Sequence, residues 1–305
     1  MFENETFSPI QNEFWFIPVD VIMLILTSFV CLFTFLFLLI IFLDKTCRSV
    51  STLLLCNSFL SEFLFASVMF SITFFTLRND IKQIINKDRY CSFRGYLSYA
   101  TSAIRSHSYL LQSIYRYIKV VYPSQIFYQS QKFQFILICL TWILSIIHPF
   151  PFFFTNQIEY NVNNQLCHMP FQRHFWIFYT CFLSYLNPIL IIIIIYFKLV
   201  RYVHNMSEII TPVNRLIHAQ RQLQLVRRIV FLVIFLVTLG LPYTIFYILS
   251  FVRPPPKYHF RIAFFFVDLS LVFVILVLFQ FTNPVRMFLQ RQILQWTNES
   301  TRTDI

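Results

Sequence analysis

Glycine is almost missing from this chain: two residues in 305, against 40 phenylalanines. Charge is scarce too, at 12% of residues, where soluble domains carry about 25%. With 57% hydrophobic and 20% aromatic residues, so few charges cannot cover the apolar surface in water. These shortages exclude a disordered chain, a nucleic-acid-binding domain and an ordinary cytosolic enzyme. The net charge of +11 does not favour nucleic acid, because the 24 Lys and Arg stand between long uncharged runs. Basic residues at the edges of apolar runs suit a polytopic membrane protein.

A membrane-crossing helix needs about 20 mainly apolar residues. Seven runs qualify: Val19–Leu43, Leu53–Leu77, Phe93–Tyr117, Phe133–Phe154, Phe175–Leu199, Val226–Phe251 and Ile262–Asn283. None shows the sustained alternation of a barrel strand, and backbone satisfaction in lipid then leaves a helical bundle. The expected fold is therefore an all-α membrane protein, a seven-transmembrane helix bundle over 19–284. An amino-terminal tail, 1–18, precedes it, and a short interfacial amphipathic helix, 285–296, and a tail, 297–305, follow.

Orientation follows from the basic residues. Residues 1–18 hold no Lys or Arg, whereas Lys45 and Arg48 follow the first run directly. The amino terminus is expected outside and the carboxyl terminus in the cytosol, with 14 basic residues inside, nine outside and Arg105 within a span. The first run is too long for a cleaved signal peptide and is expected to insert as its own signal. This topology leaves only Cys91 and Cys167 on the oxidising side, which predicts one disulfide between the third helix and the Thr155–Pro170 loop; two unpaired thiols are the alternative. Asn4-Glu5-Thr6 is an outward glycosylation sequon, while Asn205-Met206-Ser207 and Asn298-Glu299-Ser300 fall inside.

Several residues then fall into a recognisable order. Tyr115-Arg116-Tyr117, continuing to Tyr122-Pro123, resembles the DRY segment of rhodopsin-like G-protein-coupled receptors, and Arg116 lies 25 residues after Cys91. Trp142, the pair Pro188 and Tyr196, Leu241-Pro242 and Asn283-Pro284 match that family's landmarks in the fourth to seventh helices. The resemblance covers roughly residues 19–290 and implies a plasma-membrane receptor that is not an enzyme and needs no cofactor. It implies signalling from an extracellular ligand to a heterotrimeric G protein through helix movement at an Arg116 cavity. Tyr115, Arg116, Tyr117, Tyr196, Pro242, Asn283 and Pro284 would form the coupling and switch set. The departures are specific. Tyr115 replaces the acid before the motif arginine, Gly240 stands at the toggle-tryptophan position, and Met287 replaces the NPxxY tyrosine. Thr34 or its neighbour stands for the first-helix asparagine, and Glu62 for the second-helix aspartate. Without that acid, the resting restraint on Arg116 is expected to be weaker, and basal signalling to exceed that of Tyr115→Asp, with packing alone keeping the receptor silent as the alternative.

Glu62 and Arg105 are the costly charges. Each lies about ten or eleven residues from the cytosolic edge, about 15–16 Å deep. A lone charge at that depth costs at least about 2.5–3.5 kcal/mol, so an intramembrane ion pair is expected, with a protonated Glu62 and a snorkelling Arg105 as the alternative. By resemblance, relatives hold sodium at these positions; here the guanidinium would take the cation's place, and no sodium modulation is expected.

The ligand is less specified. Ser98, a pocket candidate, stands where amine receptors of the family carry Asp, and no lysine in Ile262–Asn283 is present for a retinal Schiff base. The basic rim of Arg78, Lys82, Lys87, Arg89, Arg94, Arg253, Lys257 and Arg261 favours an acidic ligand or a peptide, peptide being preferred. Membrane lipid is an expected partner of the amphipathic helix, where no cysteine is available for palmitoylation. Thr303-Asp304-Ile305 fits a PDZ ligand. The seven histidines form no metal-type pair, so no metal is expected. The rival reading is an ion channel or transporter using Glu62 and Arg105, against which stand the absence of a repeat and the shortage of glycine.

Overall fold

A computed structural model of the chain describes residues 16–43, 49–84, 88–171 and 174–208, and, beyond these, 220, 227, 230–231, 234–235, 237–238 and 240–281. The first helix, α1 (Phe16–Leu43), shows the organising logic. Its buried positions are Phe16, Asp20, Met23, Thr27, Val30, Thr34, Phe37 and Ile41, successive steps of three and four that trace one helical face. Three of them are polar. The opposite face is hydrocarbon left bare, with Ile25 63% and Phe42 90% exposed. A water-soluble helix does the reverse; this one is built for lipid. The buried hydroxyls need no partner helix, because Thr27 and Thr34 donate to the carbonyls of Met23 (2.9 Å) and Val30 (2.7 Å) one turn back.

The other elements are α2 (Val50–Lys82), α3 (Cys91–Val121), α4 (Gln131–Ile147), α5 (Phe150–Phe154), α6 (His174–Cys181), α7 (Asn187–Glu208), α8 (Gly240–Leu249) and α9 (His259–Phe281). Ser49 and Ser130 cap α2 and α4, their hydroxyls accepting from Thr52 N and Phe133 N. Among the described residues five helices are long and apolar enough to cross a membrane: Phe16–Leu43, Val50–Lys82, Gln131–Phe154, Phe175–Met206 and His259–Leu278. The third is absent from that set for a structural reason. Seventeen of its 31 residues are buried, because α2, α4, α7 and a loop hairpin surround it. A helix at the centre of a bundle needs no lipid-facing skin, so α3 can carry Arg94, Arg105, Arg116 and Lys119.

Two expected spans are not single helices. The Phe133–Phe154 run breaks at His148-Pro149 into α4 and α5; Pro149 has no N–H to continue the ladder. The Phe175–Leu199 run contains a π-helical turn, Phe182–Leu186, between α6 and α7. It directly precedes Pro188, whose missing donor the wider register absorbs. The Thr155–Pro170 loop is ordered as a hairpin, β1 (Glu159–Asn161) against antiparallel β2 (Leu166–His168), with Tyr160 opposite Cys167. Cys91 and Cys167 form the disulfide, with Cα atoms 5.4 Å apart. Beside it, Gly95 lets β2 lie directly on α3: a Cβ there would stand 2.7 Å from both the Cys167 carbonyl oxygen and Ile158 Cγ2. The disulfide marks the hairpin end of the bundle, and Arg116, near the other terminus of α3, marks the opposite end.

Candidate functional site

Below the hairpin lies a cavity of about 350 Å³, within the roughly 300–1,000 Å³ range of small-molecule pockets. The α3 helix gives it Ser98, Ser102 and Arg105, which the spacing i, i+4, i+7 places on one face. From α8 come Gly240, Tyr243, Thr244 and Tyr247, again one helical stripe. Phe65 and Met69 of α2 and Phe264 and Val267 of α9 make much of the wall apolar. Ser98, the candidate from sequence, does line the cavity, although its hydroxyl donates to the Gly95 carbonyl at 2.7 Å.

The roof is His168 of β2, held 2.9 Å from the Tyr99 hydroxyl, which also accepts from Met169 N at 3.3 Å. Burial pushes the His168 pKa down to about 3; the Met169 carbonyl opposes this and His259 adds to it. The ring is therefore neutral near pH 7 and contributes polarity but no charge. Gly240 lines the cavity where another side chain comes close. Its missing side chain admits Tyr185 from the π-helical turn, whose hydroxyl lies 3.0 Å from where a Cβ would be.

Arg105 forms the floor, with Glu62 behind it. Arg105 is 4% exposed and Glu62 fully buried, with Arg105 Nη1 3.9 Å from Glu62 Oε2. Glu62 Oε1 accepts a short hydrogen bond from the Tyr109 hydroxyl, and the Phe65 ring lies 4.3 Å from Arg105 Cζ. Neither Glu62 Oε2 nor Arg105 Nε and Nη1 has a hydrogen-bond partner among the described residues. One turn further from the hairpin a polar network joins three helices. Trp142 Nε1 donates to Asn57 Oδ1 (2.8 Å), Asn57 Nδ2 to Ser108 Oγ (2.9 Å), and Gln112 Nε2 to Ser58 Oγ. Trp142 was legible in the sequence; its partner Asn57 was not, since a lone Asn in an apolar run has no distinguishing spacing.

At the Arg116 end, Tyr115 is buried among Leu54, Leu111 and Ile138 of α2, α3 and α4, while Arg116 itself is half-buried. Tyr115→Asp would therefore place a carboxylate in an apolar cluster. Tyr117 and Tyr196 pack around Val120, Leu199 and Val203, and Pro242 lies in α8. Asn4, Asn283, Pro284, the 285–296 helix and Thr303–Ile305 lie outside the described residues.

The basic rim needs correcting. Arg261 is 4% exposed, not a solvated lure. Its guanidinium forms a short pair with Asp80 Oδ2, donates to Asp80 Oδ1 at 3.0 Å and lies 3.5 Å from Asp20, with Phe16 stacked 4.4 Å away. Gln165 adds a 2.7 Å bond to Asp80, and Asn164 accepts from Arg261 N at 3.3 Å. One arginine thus ties α9 to α1, α2 and the hairpin. The sequence held a signal: Asp20 falls on the buried stripe of α1. Arg94 is likewise engaged, 3.0 Å from Asp88 and over the Phe75 ring. Among the described residues no group of three His, Cys, Asp or Glu comes together as a metal site.

Residues 21–286 match the family described as 7 transmembrane receptor (rhodopsin family). No curated protein matches the chain.

Proposed function

The chain belongs to the rhodopsin family of seven-transmembrane receptors, a multi-pass membrane receptor, and from that premise we propose that it relays occupancy of the cavity to a heterotrimeric G protein at the Arg116 end. One observation carries the reading. A capped cavity of about 350 Å³ and the motif arginine share a single helix, α3. Arg105 at the cavity floor and Arg116 are eleven residues apart, about 16 Å along the axis. A shift or rotation of α3 at the floor is felt at Arg116 with no intervening loop, and a packed bundle switches between discrete arrangements rather than yielding gradually. The hairpin end faces the extracellular side in this reading, and Arg116, Tyr117 and Tyr196 face the G protein. Two rim cations, Arg94 and Arg261, are taken up in internal pairs, and this reading puts the ligand in the cavity.

Reconstitution with heterotrimeric G proteins tests this. Vesicles carrying the full chain are expected to accelerate guanine-nucleotide exchange over empty vesicles, and Arg116→Ala to remove the acceleration at equal receptor density. Ion flux through the vesicles with no exchange would reverse the reading in favour of a channel or transporter.

A further inference from the structure

The cavity combines mostly apolar walls with one buried cation whose donors are not used up. Arg105 reaches it from α3, and its buried Nε and Nη1 have no hydrogen-bond partner among the described residues. Glu62 does not satisfy them. At 3.9 Å it is beyond hydrogen-bond reach, and its other oxygen is occupied by Tyr109. Phe65 covers one side of the guanidinium. A buried guanidinium with open donors is costly unless something accepts from it, and a planar carboxylate matches its fork.

The remaining lining narrows the choice. Among the described residues no Lys, second Arg, Asp or Glu lines the cavity. A dianion or a phosphate would meet only one cation, and an ammonium ligand would find no carboxylate and a nearby arginine. Ser98 and Ser102 stand above Arg105 on the same face, leaving hydroxyls along the path to the floor. Phe65, Met69, Phe264 and Val267 offer hydrocarbon contact to a ligand body. We propose that the cavity takes a small amphipathic organic acid, a single carboxylate on an aliphatic or aromatic body, with the carboxylate on the Arg105 guanidinium.

The proposal sharpens the reading of this cavity as the receptor's ligand site and rests on it. Glu62 then has a second consequence: its carboxyl competes with the ligand for the same guanidinium. Removing that competition strengthens acid binding, which a merely structural role for the pair does not predict.

The test uses thermal stability of the purified full chain, so it reads binding without any G protein. The probes are phenylbutyrate, phenylbutanol and phenylbutylamine, which share one body and differ in the head group, together with carboxylates from hexanoate to decanoate. A carboxylate is expected to raise Tm with concentration while the matched alcohol and amine do not. Arg105→Gln should weaken the carboxylate roughly 10–100-fold, the value of a charge-assisted hydrogen bond. Glu62→Gln should leave folding sufficient for measurement and bind the acid more tightly. Should Arg105→Gln fail to fold, Ser102→Phe, which fills the path above Arg105, must abolish the shift in a protein that retains Arg105. Equal shifts by acid and alcohol, an acid shift that survives Arg105→Gln or Ser102→Phe, or no shift with any carboxylate would overturn the proposal. So would a shift confined to peptides, which would return the site to that class. Acid binding without nucleotide exchange would instead count against the coupling reading alone.

Discussion

At the scale of single residues, the scarcity of glycine becomes informative once both positions are located. Gly95 and Gly240 are each where another group lies too close for a side chain, yet they differ in what opposes a Cβ. At Gly95 the obstacle is the carbonyl of Cys167, fixed by the disulfide and the hairpin ladder; at Gly240 it is the hydroxyl end of Tyr185. Gly95→Ala is therefore expected to cost about 1–3 kcal/mol, the range for overpacking, and Gly240→Ala distinctly less, both read as Tm of the purified chain. Equal losses would show that Tyr185 is held as rigidly as the hairpin. The number of glycines was plain in the sequence, but the reason for each is a distance to a residue far along the chain. Glu62 and Arg105 were the opposite case. Their matched depth was legible from helical rise alone, while Tyr109 and Phe65, which complete their surroundings, were not. Glu62→Gln and Arg105→Gln are each expected to reduce surface expression, and the double variant to recover part of the loss, because a lone buried charge costs more than none. Strictly additive losses would mean that the 3.9 Å approach carries no coupling.

At the scale of elements, the apolar runs located the ends of α1, α3 and α9 to within a few residues, because lipid imposes one polarity on anything that crosses it. By contrast, α7 runs on to Glu208 past the expected Leu199, and several residues in the first half of the Val226–Phe251 run lie outside the described residues. What they could not show is how a helix is interrupted without leaving the membrane. His148 sits at the break between α4 and α5, and its Nε2 lies 2.9 Å from Ser184 Oγ in the π-helical turn, so two irregularities on neighbouring helices support one another. Arg261 was misread for a related reason: a basic residue at a helix edge normally sets topology, and only the fold brings Asp20 and Asp80 to it. That junction has a testable asymmetry. Arg261→Met leaves Asp20 and Asp80 buried together and is expected to destabilise by about 3–5 kcal/mol, the cost of removing one partner of a buried pair. Asp20→Asn leaves the Arg261–Asp80 pair intact and should cost much less. Thermal unfolding of the three proteins ranks them, and an Asp20→Asn loss equal to that of Arg261→Met would assign the weight of the junction to α1 rather than to α2.

At the scale of the whole molecule, exposed phenylalanine and isoleucine coat the helices that face outward, while hydroxyls, amides and the few buried charges face one another inside. The central α3 takes this furthest, being the helix least able to meet lipid and the one linking the cavity to Arg116. Such an inverted arrangement is indifferent to which end faces the cytosol, and the direction has to come from the charges in the connections. The charge count favours an outward amino terminus, and the hairpin disulfide fits the oxidising side. Three sequons make the matter measurable, since a glycan is added only on the lumenal face during synthesis. Expressed in cells with active glycosylation, the chain is expected to carry glycan at Asn4 and none at Asn205 or Asn298. Asn4→Gln should then collapse any glycosidase-sensitive mobility shift to that of the bare chain. Glycan at Asn205 or Asn298 would invert the bundle, put the cavity on the cytosolic side, and remove the basis for reading Arg116 as the site that meets a G protein.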